Sequence, residues 1–362
     1  MTIFATDRRR NLTVQAPHPS RSQRVAAREI TAWYLNRYYQ TASDVGVAAM
    51  FCRQDLVGHF AVSDAALASG DGDALFRLLV TVTMFQRRSD QQIMRVLRGI
   101  SREDAVEMTN PGELLRLVDD VDCPHVGDLV SLKDRCDLAK HPETKRGICR
   151  ERPEVACHLK RHTELLKRYG HFGKVPTSAA LSVRSHGAQS LADIKATVWS
   201  KVKSPEDRAV AIEAAITRSW RVSEKIAAMF LSAVTNRDLS GALAPWADGV
   251  DTSYFVVVDS NVDLFLQSVG YPGPWTYRAR REFVQELARR VPLDKLRPGL
   301  TSYNPRVVQQ ALYMFMSESN RRSSASDCSH EGPASCAACP AALSQRCPRR
   351  VGDNQARGGA DV

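Results

Sequence analysis

The sequence predicts an all-α protein. Its 362 residues are 43% hydrophobic, which is enough for a substantial core in one or two domains. Apolar residues recur at helical spacing along most of the chain, and helix-start signals such as Asn110-Pro111 precede several of these stretches. No apolar run approaches the length of a membrane span. We therefore expect about a dozen helices and no membrane segment.

The elements follow one another with a single interruption. We expect disorder in the polar tails, residues 1–22 and 351–362. Helical periodicity covers residues 22–60, 74–85, 91–100, 110–118, 158–169, 193–203, 205–218, 221–234, 262–269, 278–291 and a last helix opened by Asn304-Pro305. Residues 122–158 break the pattern with cysteines and histidines among many charges. A wholly apolar segment, residues 254–258, leads directly into Asp259.

Four cysteines lie close together near the C-terminus. They are Cys328, Cys336, Cys339 and Cys347, with seven, two and seven residues between them. The central C-x2-C pair favours two ligands to one metal centre, and little else in residues 323–350 could order this stretch. In a reducing compartment such spacing indicates metal, with a disulfide pair as the alternative. The sequence therefore predicts a metal-bound C-terminal loop.

A second group of cysteines is spaced more widely and has no C-x2-C pair. It comprises Cys123, Cys136, Cys149 and Cys157, with intervals of twelve, twelve and seven residues. One interpretation is a structural zinc or a second cluster. The alternative ligands are His125, His141 and His158. The other interpretation is that these cysteines are scattered in core and surface positions, and we expect Cys52 to serve packing.

The charge balance favours a polyanionic partner. The chain has 50 Lys and Arg against 40 Asp and Glu, a net charge of +10, and phosphate contacts by basic side chains release condensed counterions. Residues 1–10 are charged but no apolar segment follows them, so no secretory signal is expected. We expect a cytoplasmic protein, associated with the nucleoid if the partner is DNA.

Three segments, in this order, resemble the helix-hairpin-helix DNA glycosylase superfamily, especially its iron–sulfur branch typified by endonuclease III. Residues 158–181 (HLKRHTELLKRYGHFGKVPTSAAL) resemble the family's helix, Gly-Val-Pro turn and next helix start. Residues 222–231 (VSEKIAAMFL) and 256–265 (VVVDSNVDLF) resemble the hairpin's second helix and the catalytic aspartate loop. The C-terminal cysteines fall where that branch binds its cluster. Residues 219–223 (SWRVS), however, lack the family's hairpin glycines, and the insertion 122–158 has no counterpart.

The resemblance implies a two-lobed helix-hairpin-helix glycosylase fold with a C-terminal iron–sulfur cluster loop. Residues 23–72 would be N-terminal helices that join the cluster lobe. Residues 73–252 would form a helical barrel lobe, with the insertion 122–158 and a hairpin near 216–234. Residues 253–350 would carry the catalytic aspartate loop and the iron–sulfur lobe. The implied cofactor is a 4Fe-4S cluster, and the implied protein is a monomer that binds double-stranded DNA containing a damaged base.

The implied activity is base excision, in which a damaged nucleotide is flipped out and its N-glycosidic bond is cleaved. Lys225 would be the nucleophile, because desolvation and the positive helix end both disfavour its ammonium form. Asp259 would be kept ionised by helix amides and would stabilise the cationic sugar. An ordinary first-turn lysine and a structural N-cap aspartate are the alternatives. Asp251 and Asp263 are weaker candidates.

The resemblance also implies DNA contacts. The candidate residues are Gln86, Arg87, Arg221, Ser223, Arg346 and Arg349. Gln86 stands where the family has a glutamine that fills the gap left by the flipped base, although a helix cap is the alternative. The arginines around Cys347 would grip phosphates or offset the charge of the cluster.

Two other functions are compatible with the sequence. In the first, a monofunctional glycosylase, Lys225 only positions DNA and Asp259 activates water. The second is a non-catalytic iron–sulfur protein that binds DNA or senses redox state, and the missing hairpin glycines favour it.

Overall fold

A computed structural model describes residues 17–39, 47–86, 88–166 and 170–349. In this part of the chain the regular elements are twenty-one α-helices, several 3₁₀ turns and two short strands, so the all-α prediction is confirmed. Thirteen of these helices have eight or more residues, close to the dozen expected. No described helix combines the length and apolarity needed to cross a membrane.

The first half of the described chain contains eleven α-helices. They are α1 (Arg21–Arg37), α2 (Gln54–Val57), α3 (Asp64–Ser69), α4 (Gly72–Met84), α5 (Asp90–Arg98), α6 (Arg102–Thr109), α7 (Pro111–Asp120), α8 (Leu129–Asp134), α9 (His158–Leu165), α10 (Val175–Ser185) and α11 (Leu191–Lys201). A capping box between Ser20 and Gln23 starts α1 earlier than expected, so the predicted disorder does not extend to residue 22. Residues 1–16 and 350–362 lie outside the described residues.

The second half is also helical, and it ends in very short helices. They are α12 (Pro205–Ile216), α13 (Glu224–Thr235), α14 (Arg237–Ser240), α15 (Ser260–Ser268), α16 (Tyr277–Ala288), α17 (Leu293–Leu296), α18 (Pro305–Met316), α19 (Glu318–Arg322), α20 (Pro333–Ala337) and α21 (Ala341–Ser344). The Asn304 side chain caps α18, and Pro305 occupies its first turn, as the sequence predicts.

The apolar residues form two main cores. The first includes side chains of α4, α10, α12 and α13, and the second includes those of α1, α15, α16 and α18. Of residues 23–72, which the resemblance assigns to the cluster lobe, α1 packs in the second core, and Tyr38, Tyr39 and Val47 pack against it. Phe51, Phe60 and Leu67 pack into the first core.

A short non-helical segment, residues 255–258, runs along the boundary between the two cores, which we call the seam. Phe255 and Val257 are buried in the first core, whereas Val256 and Val258 are buried in the second. The Tyr277 hydroxyl donates a hydrogen bond to the carbonyl oxygen of Val256 at 2.9 Å. Apolar side chains on both sides therefore fix the segment that leads into Asp259, which explains its unbroken apolar sequence.

The insertion is a packed element with the only strands among the described residues. Strands β1 (Ala139–Lys140) and β2 (Gly147–Ile148) pair antiparallel. Gly147 lies against the backbone of Lys160 in α9, where an added Cβ would come within 2.4 Å of a carbonyl oxygen. The all-α prediction missed these strands because their pairing depends on this close approach to α9.

Candidate functional site

Lys225 and Asp259 come from different elements and lie near each other at the seam, where the two cores adjoin. Lys225 is the second residue of α13, and Asp259 is the N-cap of α15. Both residues are half-buried, and Lys225 is close enough to favour the charged form of Asp259 electrostatically. The structure thus brings together the two candidate catalytic residues, which are 34 positions apart in the sequence.

The carboxyl group of Asp259 is held by the helix that it caps. Its Oδ1 atom accepts a hydrogen bond from the backbone N–H of Val262 at 2.9 Å. Burial nevertheless raises the pKa of Asp259 above its ordinary value, against the lowering effects of the Val262 amide and of Lys225. The amide of Val262 favours the ionised form of Asp259, but desolvation has the larger effect on the pKa.

Arg306 is a buried cation near Asp259 that the sequence analysis missed. It is only 4% exposed in the first turn of α18 and interacts electrostatically with Asp259. Its Nε donates to Ser232 Oγ at 3.1 Å, and its Nη1 donates to the Oε1 atoms of Gln309 and Gln310 at 2.6 and 2.8 Å. Burial lowers the pKa of Arg306 to about 10. A positive charge in the first helical turn, which the helix dipole disfavours, was the available sequence signal.

A polar bridge connects the start of α5 with the surroundings of Asp259. Asp90 accepts hydrogen bonds from the Tyr313 hydroxyl at 3.0 Å and from Asn320 Nδ2 at 3.1 Å. Burial raises the pKa of Tyr313, and the nearby charges of Asp90 and Asp259 add to that effect. The sequence gives no sign of this bridge, because Tyr313 and Asn320 lie 223 and 230 positions after Asp90.

The turn between α12 and α13, residues 217–223, lies at the position for which the resemblance implied a hairpin. Arg221 occupies a position of a family glycine and adopts φ +61°, the left-handed conformation that glycine favours. Its guanidinium lies 5.2 Å from the centre of the Trp220 ring. Ser223 is the exposed N-cap of α13, and its hydroxyl makes no capping bond. The glycine conformation is thus kept without glycine, at a strain of roughly 1–2 kcal/mol.

Gln86 lies against this turn. Its side-chain amide donates to the carbonyl oxygen of Thr83 at 2.6 Å and to that of Arg221 at 3.5 Å. The first bond is the helix-cap interaction that we considered, and the second places Gln86 beside another candidate DNA-contact residue. Arg87 lies outside the described residues.

The four C-terminal cysteines line one cavity of about 760 Å³, which α1 closes on one side. Cys339 interacts electrostatically with all three of the others. Among the described residues, no three His, Cys, Asp or Glu side chains are gathered as ligands of a single ion. A 4Fe-4S cluster bonds each thiolate to a different iron atom, and this cavity is large enough to hold one.

Arg321 is completely buried against this quartet. Its Nη1 donates to Cys347 Sγ at 3.4 Å, and its Nη2 donates to Cys328 Sγ at 3.6 Å and to Asp327 Oδ1 at 2.9 Å. Burial alone would lower the pKa of Arg321, but Cys347 and Asp327 raise it. A guanidinium that donates to two sulfurs suits thiolates, which only accept hydrogen bonds. The sequence analysis missed Arg321, since nothing in its local pattern distinguishes it from its exposed neighbour Arg322.

Arg346 and Arg349, on either side of Cys347, both bond to other residues of the C-terminal loop. Arg349 pairs with the carboxylate of Asp327, which also binds Arg321. Arg346 donates to the carbonyl oxygen of Ala342 at 3.1 Å. Both are half-buried. This arrangement favours the charge-offsetting role over the phosphate contact that we expected, because Asp327 already occupies the guanidinium of Arg349.

The cysteines of the insertion also line one cavity, with a volume of about 20 Å³. His125 lines it too, and its Nδ1 lies 3.2 Å from a carboxylate oxygen of Glu151. The other two histidines have different partners. His158 Nε2 bonds to Thr177 Oγ1 at 3.0 Å, and His141 Nδ1 accepts backbone N–H groups of the β1–β2 turn at 3.2 Å. Of the three alternative ligands, the structure therefore keeps only His125 beside the cysteines.

No protein-family model, curated protein or solved structure matched this chain. The candidate functional features of the chain are therefore structural: the neighbouring half-buried residues Lys225 and Asp259, the adjoining turn 217–223, and two cavities that are each lined by four cysteines.

Proposed function

We propose that this protein is a DNA base-excision glycosylase of the helix-hairpin-helix type, with associated lyase activity at the abasic site. It would flip a damaged nucleotide out of the duplex, cleave the N-glycosidic bond and then cut the strand by β-elimination. The observation that carries this proposal is that Lys225, which lies just after the turn 217–223, is near enough to Asp259 to interact with it electrostatically.

Lys225 is the proposed nucleophile. After losing its proton to a neighbouring base, its Nζ atom would attack C1′ while the glycosidic bond breaks and the bonding electron pair leaves with the base. Opening of the sugar ring would give a Schiff base on Lys225. Removal of a C2′ proton would then break the C3′–O bond and release the phosphate. One covalent intermediate accounts for both activities.

Asp259 is the proposed base and electrostatic partner. Its raised pKa makes it a better proton acceptor than an exposed carboxylate, and the charges of Lys225 and Arg306 favour its ionised form. The bond from the Val262 amide fixes the direction of the carboxylate. A carboxylate held in this way can stabilise the positive charge that develops on the sugar. Arg306 is a positioning residue in this proposal.

The turn 217–223 and its neighbours are the proposed grip on the DNA backbone. Arg221 and Ser223 are exposed, and the first backbone amides of α13 follow them directly. Gln86 adjoins the turn, where it can fill the gap left by an extruded nucleotide. The net charge of +10 supports a polyanionic partner.

The C-terminal quartet is the proposed holder of a 4Fe-4S cluster, through Cys328, Cys336, Cys339 and Cys347. When bound, such a cluster would supply a structural tie rather than chemistry at the sugar, because cysteine fills every ligand position. Arg321 fits this proposal, since it already donates to two of the four sulfurs. Arg37 of α1 joins the same loop through two bonds to Glu331, at 2.7 and 3.2 Å.

Borohydride trapping tests the proposal directly. Full-length protein is incubated with duplexes that carry oxidised, deaminated or alkylated bases, and strand incision is measured alongside. We expect a covalent adduct with wild type, none with Lys225→Ala, and a loss of about 100-fold or more in base release with Asp259→Asn. Lys295→Ala, which changes an exposed lysine of α17, should behave like wild type.

The other outcomes separate the rival functions. Base release without an adduct would establish the monofunctional glycosylase in place of the lyase. Unchanged behaviour of Asp259→Asn on every damaged base, together with tight DNA binding, would favour the non-catalytic iron–sulfur protein.

The raised pKa of Asp259 provides a test that misfolding cannot imitate. A carboxyl that holds its proton more tightly in the folded state destabilises the fold as the pH rises through that raised pKa. Asparagine caps helices as well as aspartate does. Asp259→Asn should therefore raise the melting temperature at neutral pH, and the gain should shrink towards acid pH. A lower melting temperature at neutral pH would show that the activity loss reflects damage to the fold.

A further inference from the structure

The insertion has a core that is small for its length. The buried residues of this core are Val118, Val126, Leu129, Leu132, Leu138, Leu159 and Leu181. Cys123, Cys136 and Cys157 pack at its edge. A segment with so few buried side chains is ordinarily held together by disulfides or by a metal. All four cysteines of the insertion are free thiols.

The four cysteines line one cavity from four different parts of the insertion. They come from the loop after α7, the end of α8, the residue after β2 and the N-cap of α9, and they share a cavity of about 20 Å³. That volume holds about one water-sized sphere. Cys157 interacts electrostatically with both Cys136 and Cys123. The space suits a single ion in a four-cysteine site and is too small for a cluster.

Metal binding requires specific changes at these thiols. Among the described residues, no three of these sulfurs lie close enough together to bind one ion. The Cys149 thiol instead donates a hydrogen bond to Asp137 Oδ1 at 2.7 Å. Each cysteine would release its proton to solvent on binding, and Cys149 would leave Asp137 and turn towards the cavity. Because no three of the sulfurs are gathered, the other cysteine side chains would also have to turn inwards, and all four are half-buried.

The surroundings supply the positive charge that such a site needs. A divalent ion with four thiolates carries a formal charge of about −2. Arg152 and Lys160 line the cavity, and Lys174 interacts electrostatically with Cys136. Lys160 Nζ also donates to the carbonyl oxygens of residues 152, 153 and 155, at 3.2, 2.9 and 2.8 Å, and so closes the loop around the cysteines.

The same segment contacts the hairpin turn. Lys133 of α8 donates through Nζ to the carbonyl oxygen of Arg218. Lys174 Nζ donates to the carbonyl oxygens of Leu132, at 3.1 Å, and of Cys136, and it lies 4.8 Å from the centre of the Trp220 ring. Two lysines therefore connect the cysteine-bearing segment to the turn, which lacks the usual glycines.

We propose that the insertion 122–158 is a zinc-binding element that braces the hairpin turn 217–223. Its ligands are Cys123, Cys136, Cys149 and Cys157. The zinc site does not depend on glycosylase activity and would be equally present in a non-catalytic DNA-binding protein. The brace explains how a turn with arginine in a left-handed conformation keeps its shape.

Metal analysis of the full-length protein tests the site without any assay of activity. After expression with zinc and iron supplied, wild type should contain about one zinc per chain. Cys136→Ser and Cys157→Ser should lose it, whereas Cys52→Ser should keep it, because Cys52 lies in the first core outside the insertion. Wild type without zinc, or insertion variants that retain it, would overturn the proposal. A second iron cluster lost from the insertion variants would overturn the assignment to zinc.

Two further variants test the ligand set. His125→Ala should keep its zinc and Cys149→Ser should lose it. The reverse result would remove Cys149 from the site and put His125 in its place.

Hydrogen exchange in wild type tests the brace even if the cysteine variants fail to fold. Removal of zinc with a chelator should speed amide exchange in residues 217–223 by about tenfold. The double variant Lys133→Met, Lys174→Met should exchange fast in this turn with or without zinc. Unchanged exchange in the turn after proven zinc loss would overturn the brace and leave the metal site intact.

Discussion

The two cysteine quartets of this chain differ in the volume of the cavity that each lines and in the groups that bond to their sulfurs. The C-terminal quartet lines about 760 Å³ and receives two hydrogen bonds from the guanidinium of Arg321. The insertion quartet lines about 20 Å³, and one of its thiols donates to the carboxylate of Asp137. A cation that donates to sulfur favours thiolates, whereas a carboxylate that accepts from sulfur favours a thiol. The surroundings of the C-terminal quartet therefore already favour thiolates, whereas the insertion cysteines must lose their protons before they can bind a metal.

The quartets also tie together different parts of the fold. The C-terminal quartet joins α1 to the last helices, a contact between the two ends of the described chain. The insertion quartet instead lies beside segments that hold the turn 217–223 through Lys133 and Lys174. Loss of the first should separate distant parts of the chain, and loss of the second should loosen one local element.

Cys336→Ser should have the largest effect of the changes that test this contrast. One ligand of the C-terminal centre disappears, and we expect nearly complete loss of iron and of visible absorption. Residues 323–349 should become more sensitive to protease, since mainly the pairs Arg37–Glu331 and Asp327–Arg349 would then hold them. Cys136→Ser is the matched control and should retain its iron and colour. Equal loss of iron from both variants would mean that the two quartets do not hold separate centres.

Arg321→Met should be the next most damaging change. Arg321 and Asp327 are both completely buried, and removing one partner of such a pair costs up to about 3–5 kcal/mol in the free energy of unfolding, although Arg349 still pairs with Asp327. Arg322→Met removes an exposed pair with Glu318 and should cost about 0–1 kcal/mol. Urea denaturation of the two variants measures the difference. Equal stability would show that the guanidinium does not compensate buried charge at this quartet.

The sequence predicted those features that local patterns control. Capping signals at Asn110 and Asn304 located two helix starts correctly. The lysine–aspartate pair was also found, through the resemblance of two short segments. The buried cations Arg306 and Arg321 were not found, because a local sequence does not distinguish an arginine folded inwards from one at the surface. Their partners are fixed only when distant helices pack.

Gly147→Ala should have an intermediate effect that is confined to the insertion. The new Cβ would lie 2.4 Å from the Lys160 carbonyl oxygen, and such overpacking costs about 1–3 kcal/mol in the free energy of unfolding. Zinc binding should weaken as well, since β2 directly precedes Cys149. Gly127→Ala is the matched control, because nothing lies within 4 Å of its Cβ position. Iron content should be unchanged in both variants, and a loss of iron from Gly147→Ala would contradict the independence of the quartets.

Asp137→Asn should have the smallest effect, and in the opposite direction. A carboxylate beside the Cys149 thiolate would repel it by about 1 kcal/mol in a solvated setting, so the amide should tighten zinc binding about fivefold. Asparagine can also donate to a thiolate, as Arg321 does at the other quartet. Competition with a chelator measures the zinc affinity, and Asp134→Asn, an exposed site nearby, serves as the control. Weaker binding by Asp137→Asn would mean that the carboxylate supports the metal site, and the contrast in how the two quartets handle charge would then fail.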